Sequence, residues 1–240
     1  TDHWAQIAVA GPRARDVLAA VTETETGAGA LPFMSCEETA IAGVPGRVFR
    51  ISFSGELGYE LAVPARYGAA LWRRLIEVAS AFGGGPYGME ALNVLRIEKG
   101  FLTHAEIDGR TTADDLGLGR MVSPAKDCIG KAASARPGLS GAHRGQLVGL
   151  TPAASGGRIT GGAHLFAAGA EVSAANDEGH VTSAGPSALI GSEIALALLN
   201  GGRARHGERV VVRDLLRGVE TPAVVGPPCV HDPAGEKLRG

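Results

Sequence analysis

Apolar and polar positions alternate along RVFRISFS, residues 47–54. Phe49, Ile51 and Phe53 fall on one side, and Val48, Arg50 and Ser52 on the other. This period of two predicts a half-buried strand. YELAV, residues 59–63, resumes it, with Tyr59, Leu61 and Val63 opposite Glu60 and Ala62. Upstream, IAVAGPRARDVLAAV predicts a strand over Gln6 to Val9, a turn and a helix. Pro12 suits the first helical turn, where a missing N–H costs nothing. Val17, Leu18 and Val21 then share one helical face. A further strand is expected around Thr39 to Ala42, followed by a turn over GVPG, residues 43–46. The period changes to 3.6 in RYGAALWRRLIEVASAF, residues 66–82, where Leu71, Leu75, Ala79 and Phe82 form the stripe of an amphipathic helix. GGGP breaks the chain, and MEALNVLRIEKG, residues 89–100, predicts a second, more apolar and so more buried helix that stops at Gly100.

The pattern is irregular over 101–145. After Gly145 short apolar runs (LVGL, AHLF, EIALALL, RVVV, PAVV) alternate with Gly/Ser/Asn clusters. Short strands at such spacing predict a small β-barrel or sandwich. The chain therefore reads as an α+β region over 1–141 and an all-β region over 142–240.

Composition narrows the function classes. The 240 residues are 45% hydrophobic and 20% charged, as in an ordinary globular protein. A net charge of −2 gives no electrostatic case for nucleic acid or an anionic membrane. Cys36, Cys128 and Cys229 form no CxxC pair and no zinc spacing, which points to a reducing, cytoplasmic setting. No apolar run has the length of a membrane span. The opening TDHWAQIAVAGP enters a strand almost at once and reads as a piece of a longer polypeptide.

Candidate chemistry centres on SFSGELGYEL, residues 52–61, with its carboxylates Glu56 and Glu60. Glu60 lies opposite the apolar face of its strand. One reading is a solvated strand glutamate, which periodicity alone favours. The other is a carboxylate on a cavity wall, with glycines that let a ligand approach the backbone. An ionised carboxylate accepts two parallel N–H bonds, which suits the amino-pyrimidinone edge of a pterin or guanine-like ring. In LRIEKG, Arg96, Glu98 and Lys99 read first as helix-end pairing, with an anionic ligand for Arg96 as the alternative. THAEIDGRTTADD, residues 103–115, matches no metal loop and reads as a polar loop. His180 reads as a surface residue. Ser54 and Ser183 lack a nucleophile elbow, and no GxGxxG follows a strand.

The ordered set AVAGPRARDVL, LPFM, SFSGELGYEL, PYGMEALNVLRIEKG, TTADDLGLG and GHVTSAG…IALALL resembles the aminomethyltransferase superfamily, which includes the glycine-cleavage T-protein. TDHWA, ISFSGEL, LRIEKGF and GHVTS resemble the branch formed by the C-terminal part of heterotetrameric sarcosine oxidase alpha subunits. The resemblance covers nearly the whole chain. It implies α+β folate-binding domains, here incomplete at the N-terminus, and a C-terminal β-barrel. It also implies tetrahydrofolate as the cofactor of this region, with FAD, FMN and NAD held elsewhere in the complex, and beta, gamma and delta subunits as partners. The implied function is support for oxidative demethylation of sarcosine, with the one-carbon unit passing to give 5,10-methylenetetrahydrofolate. A glycine-cleavage aminomethyltransferase, or a docking module that has lost folate, are the alternatives. Matched residue by residue, the family's pterin-binding Glu falls on Glu60, its leading Tyr on Phe53, one Arg on Leu92 and the next on Arg96. Tyr59, Phe53 and Tyr87 are further expected pocket residues, with Arg96 as a buttress. The family's catalytic Asp belongs to a segment upstream of this sequence.

Overall fold

Residues 2–141 and 143–240 are described by the computed structural model. The chain divides into two compact units, one running to Arg96 and joined by His231–Gly240, the other Ile97–Val230. The boundary thus falls within a helix, and residues 97–141 group with the β-rich part.

In the first unit, β1 (Trp4–Ala10), β2 (Cys36–Ile41), β3 (Val44–Phe49) and β4 (Gly58–Pro64) form an antiparallel sheet in the order β1-β4-β3-β2. One face carries Val48, Tyr59, Leu61 and Val63 into a core with Val17 and Leu18 of α1 (Ala14–Ala19) and Leu71, Leu75 and Val78 of α2 (Gly68–Ala81). The opposite face carries Gln6, Ala8 and Glu60, as strict alternation requires. The expected strand over 47–54 ends at Phe49. Arg50 turns its guanidinium into the core, where it is fully buried, and residues 50–57 form a loop. The expected turn at 43–46 is instead the pair Ala42 and Gly43, whose φ of 48° and 77° make a two-residue hairpin between Ile41 and Val44. Pro12 lies in the turn just ahead of α1, not inside its first turn.

α3 (Met89–Lys99) is less buried than its apolar composition predicts, and only at one end. Met89 is exposed and Leu92 half-buried, whereas Arg96, Ile97, Glu98 and Lys99 are buried. The burial follows the charged half.

In the second unit, β5 (Gly145–Pro152), β6 (His164–Ala167), β7 (Gly179–Ser187), β8 (Ser192–Asn200), β9 (Arg209–Asp214) and β10 (Val219–Gly226) close a barrel in the order β10-β5-β8-β7-β6-β9. The expected barrel is thus present, one strand to each predicted apolar run and one to GHVTSAG. Val148, Leu165, Val181, Ala197, Leu199, Val210 and Val212 belong to its main core cluster. EIALALL is buried on both sides, because Ile194, Leu196 and Leu198 pack with Ile97, Leu102 and Leu116. A strand covered on both faces reads as a continuous apolar run.

The segment over 103–115 is the expected loop and largely exposed, but it buries two of its carboxylates. Glu106 is fully buried and accepts from Thr103 N at 2.8 Å and Ser183 Oγ at 2.6 Å. Asp115, also buried, holds Arg144 at 2.6 Å. A second buried pair, Ser187 Oγ to Glu98 at 2.6 Å, repeats the device. Two short helices, α4 (Lys131–Ser134) and α5 (Glu236–Arg239), complete the structure. Among the described residues no helix is long and apolar enough to cross a membrane.

Candidate functional site

Glu60 stands in the middle of β4, between Ala8 of β1 and Phe49 of β3. The alternation that buries Tyr59 and Leu61 turns Glu60 to the other face, where it is half-buried. Its Oε2 accepts from Nε2 of Gln6. Glu60 lines a cavity of about 200 Å³ with Ala8, Ser52, Phe53, Tyr87 and Leu92. Tyr87 and Leu92 also line a neighbouring cavity of about 540 Å³, bounded by Gln6, Arg13, Trp72 and Met89 among others. Small side chains at Ala8 and Ala10 leave the room in front of Glu60.

The electrostatics agree with the geometry. The Tyr87 phenol is held above its ordinary range, first by burial and then by the charge of Glu60. A carboxylate beside two aromatic rings and a leucine suits a flat heterocycle that offers paired N–H groups to Glu60 and a π-face to the rings.

The structure brings Glu60, Phe53 and Tyr87 to one wall. Tyr59 borders the same cavity, but its ring belongs to the core, 5.1 Å from the Arg50 guanidinium. Arg96 does not line the cavity; it is buried in α3 and donates Nε and Nη2 to Asn93 Oδ1 at 2.9 and 2.8 Å. The glycines of the stretch serve the loop itself. Gly55 has φ 87°, and a Cβ on Gly58 would stand 2.9 Å from Ser52 Cβ. Glu56 faces elsewhere than Glu60 and shares a 2.6 Å hydrogen bond with His231 Nε2.

Residues 1–126 match the family described as the GCVT N-terminal domain. Residues 146–232 match the glycine cleavage T-protein C-terminal barrel domain. The chain belongs to the glycine cleavage T-protein family. Relatives within or beside it include the sarcosine oxidase subunit alpha of Rhizobium meliloti (strain 1021), 48% identical over 242 residues that take in 100% of this chain and 24% of that protein. The aminomethyltransferase of Streptomyces coelicolor is 32% identical over 92% of this chain and 58% of its own length. The crystal structure of glycine cleavage system aminomethyltransferase T from Bartonella henselae superposes with a TM-score of 0.70 at 25% identity, over 95% of this chain and 60% of that one. The chain therefore spans about a quarter of the sarcosine oxidase alpha subunits it matches.

Gln6, the partner of Glu60 at this candidate site, is not among the residues expected from the sequence. It is the one polar residue inside WAQIAVA, and that interruption of an apolar strand was the available signal. Its relevance follows from the β1–β4 register, which sets Ala8 opposite Glu60 and Gln6 one step along the same face. Among the described residues no group of three His, Cys, Asp or Glu side chains is placed to hold a metal ion.

Proposed function

We propose that this chain is the tetrahydrofolate-binding portion of a sarcosine oxidase alpha subunit. One observation carries the reading: in a T-protein-family chain, Glu60 presents its carboxylate to a cavity walled by Phe53, Tyr87 and Leu92. The donor set fits the group. Glu60 orients the amino-pyrimidinone edge by paired hydrogen bonds, and Phe53 and Tyr87 flank the ring. The adjoining cavity, which shares Tyr87 and Leu92, takes the remainder of an elongated ligand. Arg96 acts from behind by fixing Asn93 on α3. Tetrahydrofolate bound here would accept the one-carbon unit released in sarcosine demethylation, giving 5,10-methylenetetrahydrofolate. The chain's own contribution is positioning and exclusion of water around that exchange. FAD, FMN and NAD, with the beta, gamma and delta subunits, belong to the rest of the assembly. The 48% identity to a sarcosine oxidase alpha subunit along the whole chain supports this branch over the aminomethyltransferase one, whose members named above reach 32%.

The test is calorimetric titration with 5-formyltetrahydrofolate, a stable reduced folate. Saturable binding is expected, with Glu60→Gln weakening it about tenfold or more, the cost of a lost charge-assisted pair. Binding by both proteins with equal affinity would remove Glu60 from the site. Absence of binding by this chain and by the full-length polypeptide would overturn the reading.

A further inference from the structure

The two glutamates of SFSGELGYEL have different partners, and the one that turns from the cavity ties down the end of the chain. Glu56 Oε1 and His231 Nε2 are 2.6 Å apart, both largely buried. A carboxylate only accepts, so Nε2 carries the hydrogen. Further along, Arg50 donates Nη2 to the carbonyl of Leu238 at 2.9 Å and Nη1 to the carbonyl of Gly58 at 3.1 Å. One buried guanidinium thus links the returning segment to the residue two places before Glu60. The rings of Tyr59 and Phe33 hold that guanidinium at 5.1 and 5.6 Å. Arg15 donates Nη2 to Gly240 O at 2.9 Å, and a Cβ on Gly240 would stand 2.7 Å from Leu57 Cδ1.

These contacts converge on the loop over 50–57, which carries one wall of the cavity through Ile51, Ser52, Phe53 and Ser54. The loop's ends are fixed by backbone bonds, Arg50 N to Ser35 O at 2.9 Å and Gly11 N to Leu57 O at 2.8 Å. Between those ends Ser54 Oγ lies 3.2 Å from Ser52 Oγ and accepts from Glu56 N at 3.3 Å. These are long, neutral contacts. The charge-assisted bond to His231 is the stronger restraint on the middle of the loop.

We infer that His231–Gly240 is a strap that sets the position of the Phe53 wall relative to Glu60, with Glu56 as its anchor and His231 and Arg50 as positioning residues. Its bearing on ligand binding rests on the folate reading given above; its hold on the loop does not.

Hydrogen exchange separates the two. In the ligand-free chain, His231→Leu should speed exchange of the amides over 51–58 about tenfold, the loss of one charge-assisted bond, and leave β2 and α2 protected. His231→Gln, whose side-chain amide still donates to Glu56, should restore most of the protection. Affinity for 5-formyltetrahydrofolate should follow the same order, falling about tenfold in His231→Leu and recovering in His231→Gln. Unchanged exchange over 51–58 in His231→Leu would overturn the strap. Faster exchange with unchanged affinity would overturn its role at the site. If neither the unsubstituted chain nor the full-length polypeptide binds folate, the functional reading fails, and exchange at Phe53 and Ser54 still decides the strap. Should His231→Leu unfold as a whole, Glu56→Ala, which removes the acceptor of the His231 bond, takes its place with the same expected loss of protection and affinity.

Discussion

At Tyr87 burial and charge act in the same direction. The phenol is raised above its ordinary range chiefly by burial and secondarily by the Glu60 carboxylate. A phenolate next to a carboxylate is disfavoured, so removing the carboxylate must bring the pKa down. Glu60→Gln should therefore lower the Tyr87 pKa by part of the elevation, leaving the share due to burial. Phenolate absorbance against pH, taken as a difference from the matching Tyr87→Phe protein, isolates this residue from Tyr59 and Tyr67. An unmoved titration would mean that Glu60 and Tyr87 do not share a cavity in solution. Tyr59 supplies the internal contrast: burial raises it, while Arg15 and Arg50 pull it down, so Glu60→Gln should leave it unmoved.

Individual elements show where local pattern was enough and where it failed. The barrel strands were legible because each short apolar run ends in turn residues and nothing distant was needed to define it. β1, β4 and α2 were legible for the same reason. β3 stops several residues short of the expected strand, although RVFRISFS keeps alternating past Phe49. What ends the strand is Arg50, whose aromatic partners Phe33 and Tyr59 are not its neighbours in the sequence. In α3 the apolar composition predicts burial of the whole helix, whereas only its charged end, Arg96–Lys99, is buried. Its buried Glu98 is satisfied by Ser187, 89 residues away, and Glu106 by Ser183, 77 residues away. No periodicity carries such information. At the candidate site, strand alternation sets Glu60 off the core face and the family resemblance points to Tyr87, but only the sheet register adds Gln6, and only the tertiary fold shows Tyr87 lining one cavity with Glu60. The β2–β3 hairpin yields a prediction of its own. Ala42 is exposed at φ 48°, a conformation that costs a residue with a Cβ roughly 1 kcal/mol relative to glycine. Ala42→Gly should stabilise the first unit by up to about that amount, less the extra entropy glycine loses on folding. Urea unfolding measures it, and a destabilised variant would show that the turn is not of this type in solution.

At the scale of the molecule, the chain leaves its first unit at Arg96 and returns to it at His231. The first unit is therefore discontinuous in sequence and includes residues 231–240. Leu238 is buried there, and its carbonyl is one of the partners of the buried Arg50. Deleting 231–240 exposes the core around Leu57 and takes a carbonyl from a cation that has little access to water. Each of those losses costs about 1–3 kcal/mol, so the first unit should lose several kcal/mol in all. The barrel, closed by its own β9–β10 and β10–β5 pairings, keeps every strand. The chain offers a way to see the two apart, because both tryptophans, Trp4 and Trp72, lie in the first unit. Tryptophan fluorescence then follows that unit alone, whereas far-ultraviolet circular dichroism follows both. The truncated chain should show a fluorescence transition at clearly lower urea, with a circular dichroism curve that splits into an early and an unshifted late step. A single transition displaced equally in both signals would mean that the units unfold as one. The last ten residues would then stabilise the whole chain, not the sheet that carries Glu60.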